Sequence, residues 1–120
     1  MKNNLEDRLI NFAVLVIQFI ESMPNSKAAN HLSGQLLRSG TSPALNYGEA
    51  QSGESSNDFV HKIKLVLKEL RETLVCLKII YQSNSYSSEE LVKALLKEAD
   101  ELVAIFVTSV KTAEKNRVKN

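Results

Sequence analysis

The side chains best suited to metal binding or covalent chemistry in this chain are two histidines, His31 and His61, and a single cysteine, Cys76. A carboxylate-bridged metal centre in a helix bundle needs Glu-x-x-His on two helices and a Glu on each of the others. The nearest pattern is Asp58-Phe59-Val60-His61, which occurs once, and no acid stands three residues before His31. With half of the ligands missing, Asp58 reads as a helix cap and His61 as a surface residue, so neither a metal nor a cofactor is expected. Cys76 sits in a leucine-rich stretch and reads as a small packing residue. Neither histidine has a context that marks it as a base for the thiol. No arginine is followed at short range by a histidine, as in helical ribonucleases, and there is no Gly-rich phosphate loop. The expectation is a protein that is not an enzyme.

Charge offers a second kind of chemistry. With Lys64 at 0° on a helix, Lys68 falls at about 40°, Arg71 at about −20° and Lys78 at about −40°. These four cations share one stripe, with Val75 inside it and His61 at its edge. A basic stripe on a rigid helix can line up with phosphates. The competing reading is a solvated face that keeps the helix soluble, with Glu72 diluting the field. The stripe has no interleaved aromatic residue, so any nucleic-acid binding would be directed to the backbone rather than to stacked bases.

The elements that must carry these residues are helices. Leu5, Leu9, Phe12, Val16, Phe19 and Met23 recur at steps of three and four, which predicts a first helix over about 5–23, stopped by Pro24. A second is predicted over 27–50, with Pro43 kinking it near Ser39 or breaking it at Ser42. A third, over 55–82, opens with a capping box of Ser55 and Asp58. Its seam is read as Ile63, Leu67, Leu70, Leu74, Leu77 and Tyr81. A fourth, over 87–115, opens with Ser87 and Glu90, a second capping box, with Tyr86 and Leu91 as its hydrophobic staple. Its apolar face is Leu91, Leu95, Ala99, Leu102, Phe106 and Val110, and fraying is expected from Lys111 onward. Asn46 and Glu49 are expected to close the corner between the second and third helices through side-chain hydrogen bonds.

Composition bounds the rest. The chain has 120 residues, enough for one domain with one core, and only four Gly and two Pro, which favours a few long elements. Net charge is +1, with −2 over residues 1–60 and +3 over residues 61–120. A lone cysteine permits no intrachain disulfide, the N-terminus does not read as a secretory signal, and Phe12 to Ile17 is far short of a membrane span. A cytoplasmic protein without a membrane partner is expected. Four helices with short connections give an all-α, antiparallel up-down-up-down four-helix bundle with a kinked second helix.

One feature exceeds what a lone bundle needs. Ile10, Val14 and Ile17 lie about 120–180° from the core stripe of the first helix, where a surface helix is ordinarily polar. They read as an oligomer interface. The competing reading is aliphatics scattered over a surface.

From Ser33 to Glu72 the residues resemble a known family. Gln35-Leu36-Leu37-Arg38 matches a Q-L-x-R pattern, and Ser42-Pro43-Ala44-Leu45-Asn46-Tyr47-Gly48-Glu49-Ala50 matches S-I-P-x-N-I-A-E-G with the proline one place early. Ser55-Ser56-Asn57-Asp58-Phe59 matches the S-x-x-E-F that follows, and Glu72 falls where an acid is kept. This is similar to the four-helix-bundle proteins encoded in intervening sequences of bacterial 23S ribosomal RNA genes. Gly53 stands where that family usually has Arg, and Ala50 replaces its Gly. The resemblance implies structural roles for Gln35, Arg38, Asn46, Glu49, Ser55, Asp58, Phe59 and Glu72, and assembly into a ring-like homopentamer. A related protein, the accessory protein of diversity-generating retroelements, is a basic pentamer that engages nucleic acid and a reverse transcriptase.

Three readings follow. The first is a non-catalytic homo-oligomeric scaffold that binds RNA or a ribonucleoprotein partner through Lys64, Lys68, Arg71 and Lys78. The second is a protein-binding adaptor without nucleic-acid binding. The third is a small metalloenzyme.

Overall fold

Helices α1 (Asn4–Ser22), α2 (Lys27–Gln51), α3 (Ser56–Gln82) and α4 (Glu89–Lys115) make up the computed structural model. It describes residues 4–53 and 55–117, which contain no β-strand, in a body of 52 × 26 × 20 Å. Each helix packs on its sequence neighbours, and α1 closes the bundle against α4 over the smallest contact. The diagonal pairs make no close backbone approach among the described residues. This is the up-down arrangement that short connections dictate.

The core forms where the apolar stripes converge. Leu9, Phe12, Val16 and Phe19 of α1 are buried, as are Leu95, Ala99, Leu102 and Phe106 of α4. Tyr47 of α2 meets Phe106 edge-on across the core, with ring centres 5.7 Å apart.

Helix α2 runs unbroken through Pro43, as expected for a second helix over 27–50 and unlike the alternative of a break at Ser42, because proline removes a single donor while the flanking turns stay paired and its ring is buried. Three expectations are corrected. The buried positions of α3 are Val60, Ile63, Val66, Leu70, Thr73, Cys76, Leu77 and Ile80, while Leu67, Leu74 and Tyr81 are only half-buried. Helix α3 touches both α2 and α4 extensively, so its buried arc is wider and turned toward α2. Thr73 is tolerated inside because its hydroxyl donates to the Glu69 carbonyl at 2.8 Å. Helix α4 is capped by Ser88, not Ser87: the Ser88 hydroxyl accepts the Leu91 N–H at 3.2 Å. Tyr86 stacks on Tyr81 with ring centres 5.9 Å apart, and Asn84 makes the turn with φ 56°. Finally, Asn46 does not reach the helix corner. Its amide donates back to the Ser42 carbonyl and hydroxyl at 3.1 and 2.9 Å within α2, one turn earlier on its own helix.

Ser55 caps α3 as expected, accepting the Asp58 N–H at 3.1 Å. Helix α4 extends to Lys115, and near this end Glu114 is tied to α3 by Lys64. Residues 118–120 of that segment lie outside the described residues.

Candidate functional site

Three outer surfaces stand apart from the core. The first is an apolar ridge. Ile10, Val14 and Ile17 of α1 are 45%, 47% and 43% exposed. A Cβ on Gly40 would touch Val16, and one on Gly48 would touch Glu6, which fixes the antiparallel register of α1 against α2. In that register Leu37, on the α1 side of α2, lies level with Ile17, and Leu45, on the outer side of α2, lies level with Ile10. Leu37 and Leu45 are themselves 44% and 68% exposed, so the ridge holds five large apolar side chains from two helices. The α2 half was missed in the sequence. Its signal was the four-residue step Leu37, Thr41, Leu45 beside the core positions of α2.

The second is the basic face of α3. Lys64, Lys68, Arg71 and Lys78 are all exposed. Lys64, Lys68 and Arg71 line a groove of about 490 Å³ with Leu67, Glu72 and Val110. Lys78 lies about 10 Å further along the helix axis from Arg71. Lys64 is held by Glu114 of α4 at 2.8 Å, and that contact draws the Glu114 carboxyl below its ordinary range. Lys68, Arg71 and Lys78 make no ion pair among the described residues.

The third is a groove of about 590 Å³ between α2 and α3, floored by Leu32 and Cys76 and edged by Gln35, Arg71, Val75 and Ile79. Val75 and Ile79 are 56% and 49% exposed beside it. Arg38 bridges the two helices along this side, with Nη1 donating to Glu69 at 2.9 Å and Nη2 to Glu72 at 2.7 Å. The hydrogen bond from Arg38 is the main cause that lowers the Glu72 carboxyl, with Lys68 adding to it. Lys62 pairs with Glu49, so of the two residues expected at the α2–α3 corner it is Glu49 that closes it. Phe59 edges an apolar crevice of about 440 Å³ at the end of the bundle, with Leu5, Tyr47 and Ile63.

The residues first considered for catalysis are scattered. His31 and His61 are exposed on different helices. Cys76 is buried, its thiol 3.7 Å from the Leu32 carbonyl and pushed up in pKa by desolvation. No three His, Cys, Asp or Glu side chains gather as a metal centre requires among the described residues. No helix is long and apolar enough to cross a membrane among the described residues.

Comparison with known proteins places these surfaces in context. The model of the family described as 23S rRNA-intervening sequence protein matches residues 2–108. A crystal structure of a protein of unknown function, from the S23 ribosomal protein family of Bacteroides thetaiotaomicron, is similar with a TM-score of 0.80 and 28% identity. The match covers 89% of this chain and 98% of that one. No curated protein matches.

Proposed function

We propose, from the premise that this chain belongs to the 23S rRNA-intervening sequence protein family, that it is a non-catalytic, cytoplasmic, homo-oligomeric scaffold whose basic α3 face holds the backbone of structured RNA. The observation that carries the reading is the ridge of Ile10, Val14 and Ile17. Three aliphatic side chains at core-like spacing on the outside of a helix cost solubility in a lone protomer. Covering them with another copy removes that cost, and the ring-like pentamer implied by the resemblance is one such assembly. Each added copy repeats Lys68, Arg71 and Lys78, so a field that is weak on one protomer of net charge +1 is multiplied.

Light scattering on the purified protein tests the assembly. The wild type is expected as an oligomer at micromolar concentration, and Val14→Glu or Ile17→Glu as a smaller species of unchanged helicity. A wild type that runs as a monomer overturns the reading. RNA binding is tested separately by affinity for a structured RNA at two salt concentrations. Reversing Lys64, Lys68 and Arg71 to Glu is expected to weaken binding and flatten its salt dependence. Unchanged affinity removes the α3 face from the account.

One observation favours the second reading, a protein-binding adaptor. Val75 and Ile79 are exposed within the basic face, and Glu114 already holds Lys64. On that reading RNA binding is absent at low salt as well.

A further inference from the structure

The groove between α2 and α3 has the size and the lining of a small-molecule site. Its volume is about 590 Å³, and its walls are mostly apolar surface with a few polar groups among it. It runs from His31 to Ser39 along α2 and from Arg71 to Ile79 along α3, a length of about 12 Å. The two helices are antiparallel there, with the Cys76 thiol 3.7 Å from the Leu32 carbonyl and Arg38 reaching Glu69 and Glu72. Its two ends therefore differ. Leu32, Cys76 and Ile79 meet at one, and Arg38, Ser39, Arg71 and Glu72 meet at the other, with Val75 between them.

Charge at the polar end is unbalanced. Arg38 takes up Glu72, whereas Arg71 is exposed and makes no ion pair among the described residues. Ser39 lines the same end, and its buried hydroxyl has no hydrogen-bond partner among the described residues. Toward the apolar end, Val75 and Ile79 leave about half of their surface in water.

We propose that this groove binds a free medium-chain carboxylate, with its head on Arg71 and its chain over Val75, Cys76 and Ile79. A carboxylate accepts two parallel hydrogen bonds from a guanidinium fork, which an uncharged head group does not match. The Ser39 hydroxyl is a second donor at that end. The chain covers the exposed aliphatic surface that the bundle leaves uncovered. A partner helix suits the place less well, because Arg38 crosses from α2 to α3 and ends the groove after about two turns. The site goes beyond the assembly and RNA contacts proposed above, with Arg71 common to the groove and the basic face.

Titration calorimetry with octanoate, decanoate and decanol tests it, decanol being the decanoate chain without the charge. Wild-type protein is expected to bind both carboxylates, with affinity rising about fourfold per added methylene. Arg71→Gln is expected to lose about tenfold toward decanoate and nothing toward decanol. Ile79→Asp is expected to weaken both. Arg71 and Ile79 are exposed, so neither change removes core packing, and unchanged helicity checks the fold. Cys76, the only cysteine, reports the location: saturating decanoate is expected to slow its alkylation at alkaline pH several-fold. The proposal is overturned if neither carboxylate binds, or if Cys76 is alkylated at the same rate in saturating decanoate. It is equally overturned if Arg71→Gln leaves the ratio of decanoate to decanol affinity unchanged.

Discussion

Gly40 lies directly against the isopropyl group of Val16: a methyl group added at position 40 would sit 2.9 Å from Val16 Cγ2 and 3.0 Å from Cγ1. Both residues are buried, and this contact brings α1 and α2 close enough to carry a shared outer ridge. Gly40→Ala is therefore expected to destabilise by about 1–3 kcal/mol through overpacking. Val16→Ala alone costs about 2 kcal/mol from lost methyl groups. The double variant is expected to cost no more than Val16→Ala alone, since the clash disappears with the isopropyl group. Urea denaturation of the four proteins measures the coupling, and strict additivity would show that the contact is relieved elsewhere.

Arg8 closes the thinnest seam of the bundle. Its Nε and Nη2 donate to the two carboxylate oxygens of Glu98 at 2.7 and 2.9 Å, and Nη2 also reaches Glu101 at 2.7 Å. The geometry is a bidentate fork, but Arg8 is 35% exposed, so solvent screens part of the interaction. Glu98→Gln is expected to cost about 1 kcal/mol in low salt and less in 1 M salt. Equal losses at both salt concentrations would mean that packing, not charge, holds α1 to α4.

Ser39 is 2% exposed, and its hydroxyl has no hydrogen-bond partner among the described residues. An unmade bond of this kind costs about 1–3 kcal/mol, so Ser39→Ala is expected to be neutral or to stabilise by about 1 kcal/mol. A rise in thermal midpoint checks it. A loss beyond 1 kcal/mol would show that the hydroxyl is satisfied in solution.

The Arg38–Glu72 pair gives a pH dependence of known sign. Arg38 holds the Glu72 carboxyl below its ordinary value of 4.5 in the folded state. A carboxyl with a depressed folded value stabilises the fold above its unfolded value, and the contribution is lost as pH falls through the folded value. The thermal midpoint of Arg38→Gln is thus expected below that of the wild type near pH 7, with the gap narrowing as pH drops below about 4.5. A gap that stays constant down to pH 3 would assign the effect of Arg38 to packing alone.

The sequence by itself determined the number of helices, their bounds to within a residue or two, and most of the α1 and α4 cores. These depend on local periods and caps: Leu9, Phe12, Val16 and Phe19 can share only one face of a helix, whatever they pack against. It also exposed the unusual outer face of α1, because Ile10, Val14 and Ile17 have no place in a stripe already complete. Tertiary structure decided what depends on two helices at once. Ser88 rather than Ser87 caps α4, at the end of a connection in which Tyr86 lies on Tyr81. Thr73 and Cys76 enter the core because α3 is turned toward α2. Leu37 and Leu45 join the ridge only through the register that Gly40 and Val16 impose, and Val75 and Ile79 border a groove only because α2 stands beside them. A period of 3.6 residues records the direction of burial around one axis, and the distance to the next axis is written in neither helix alone.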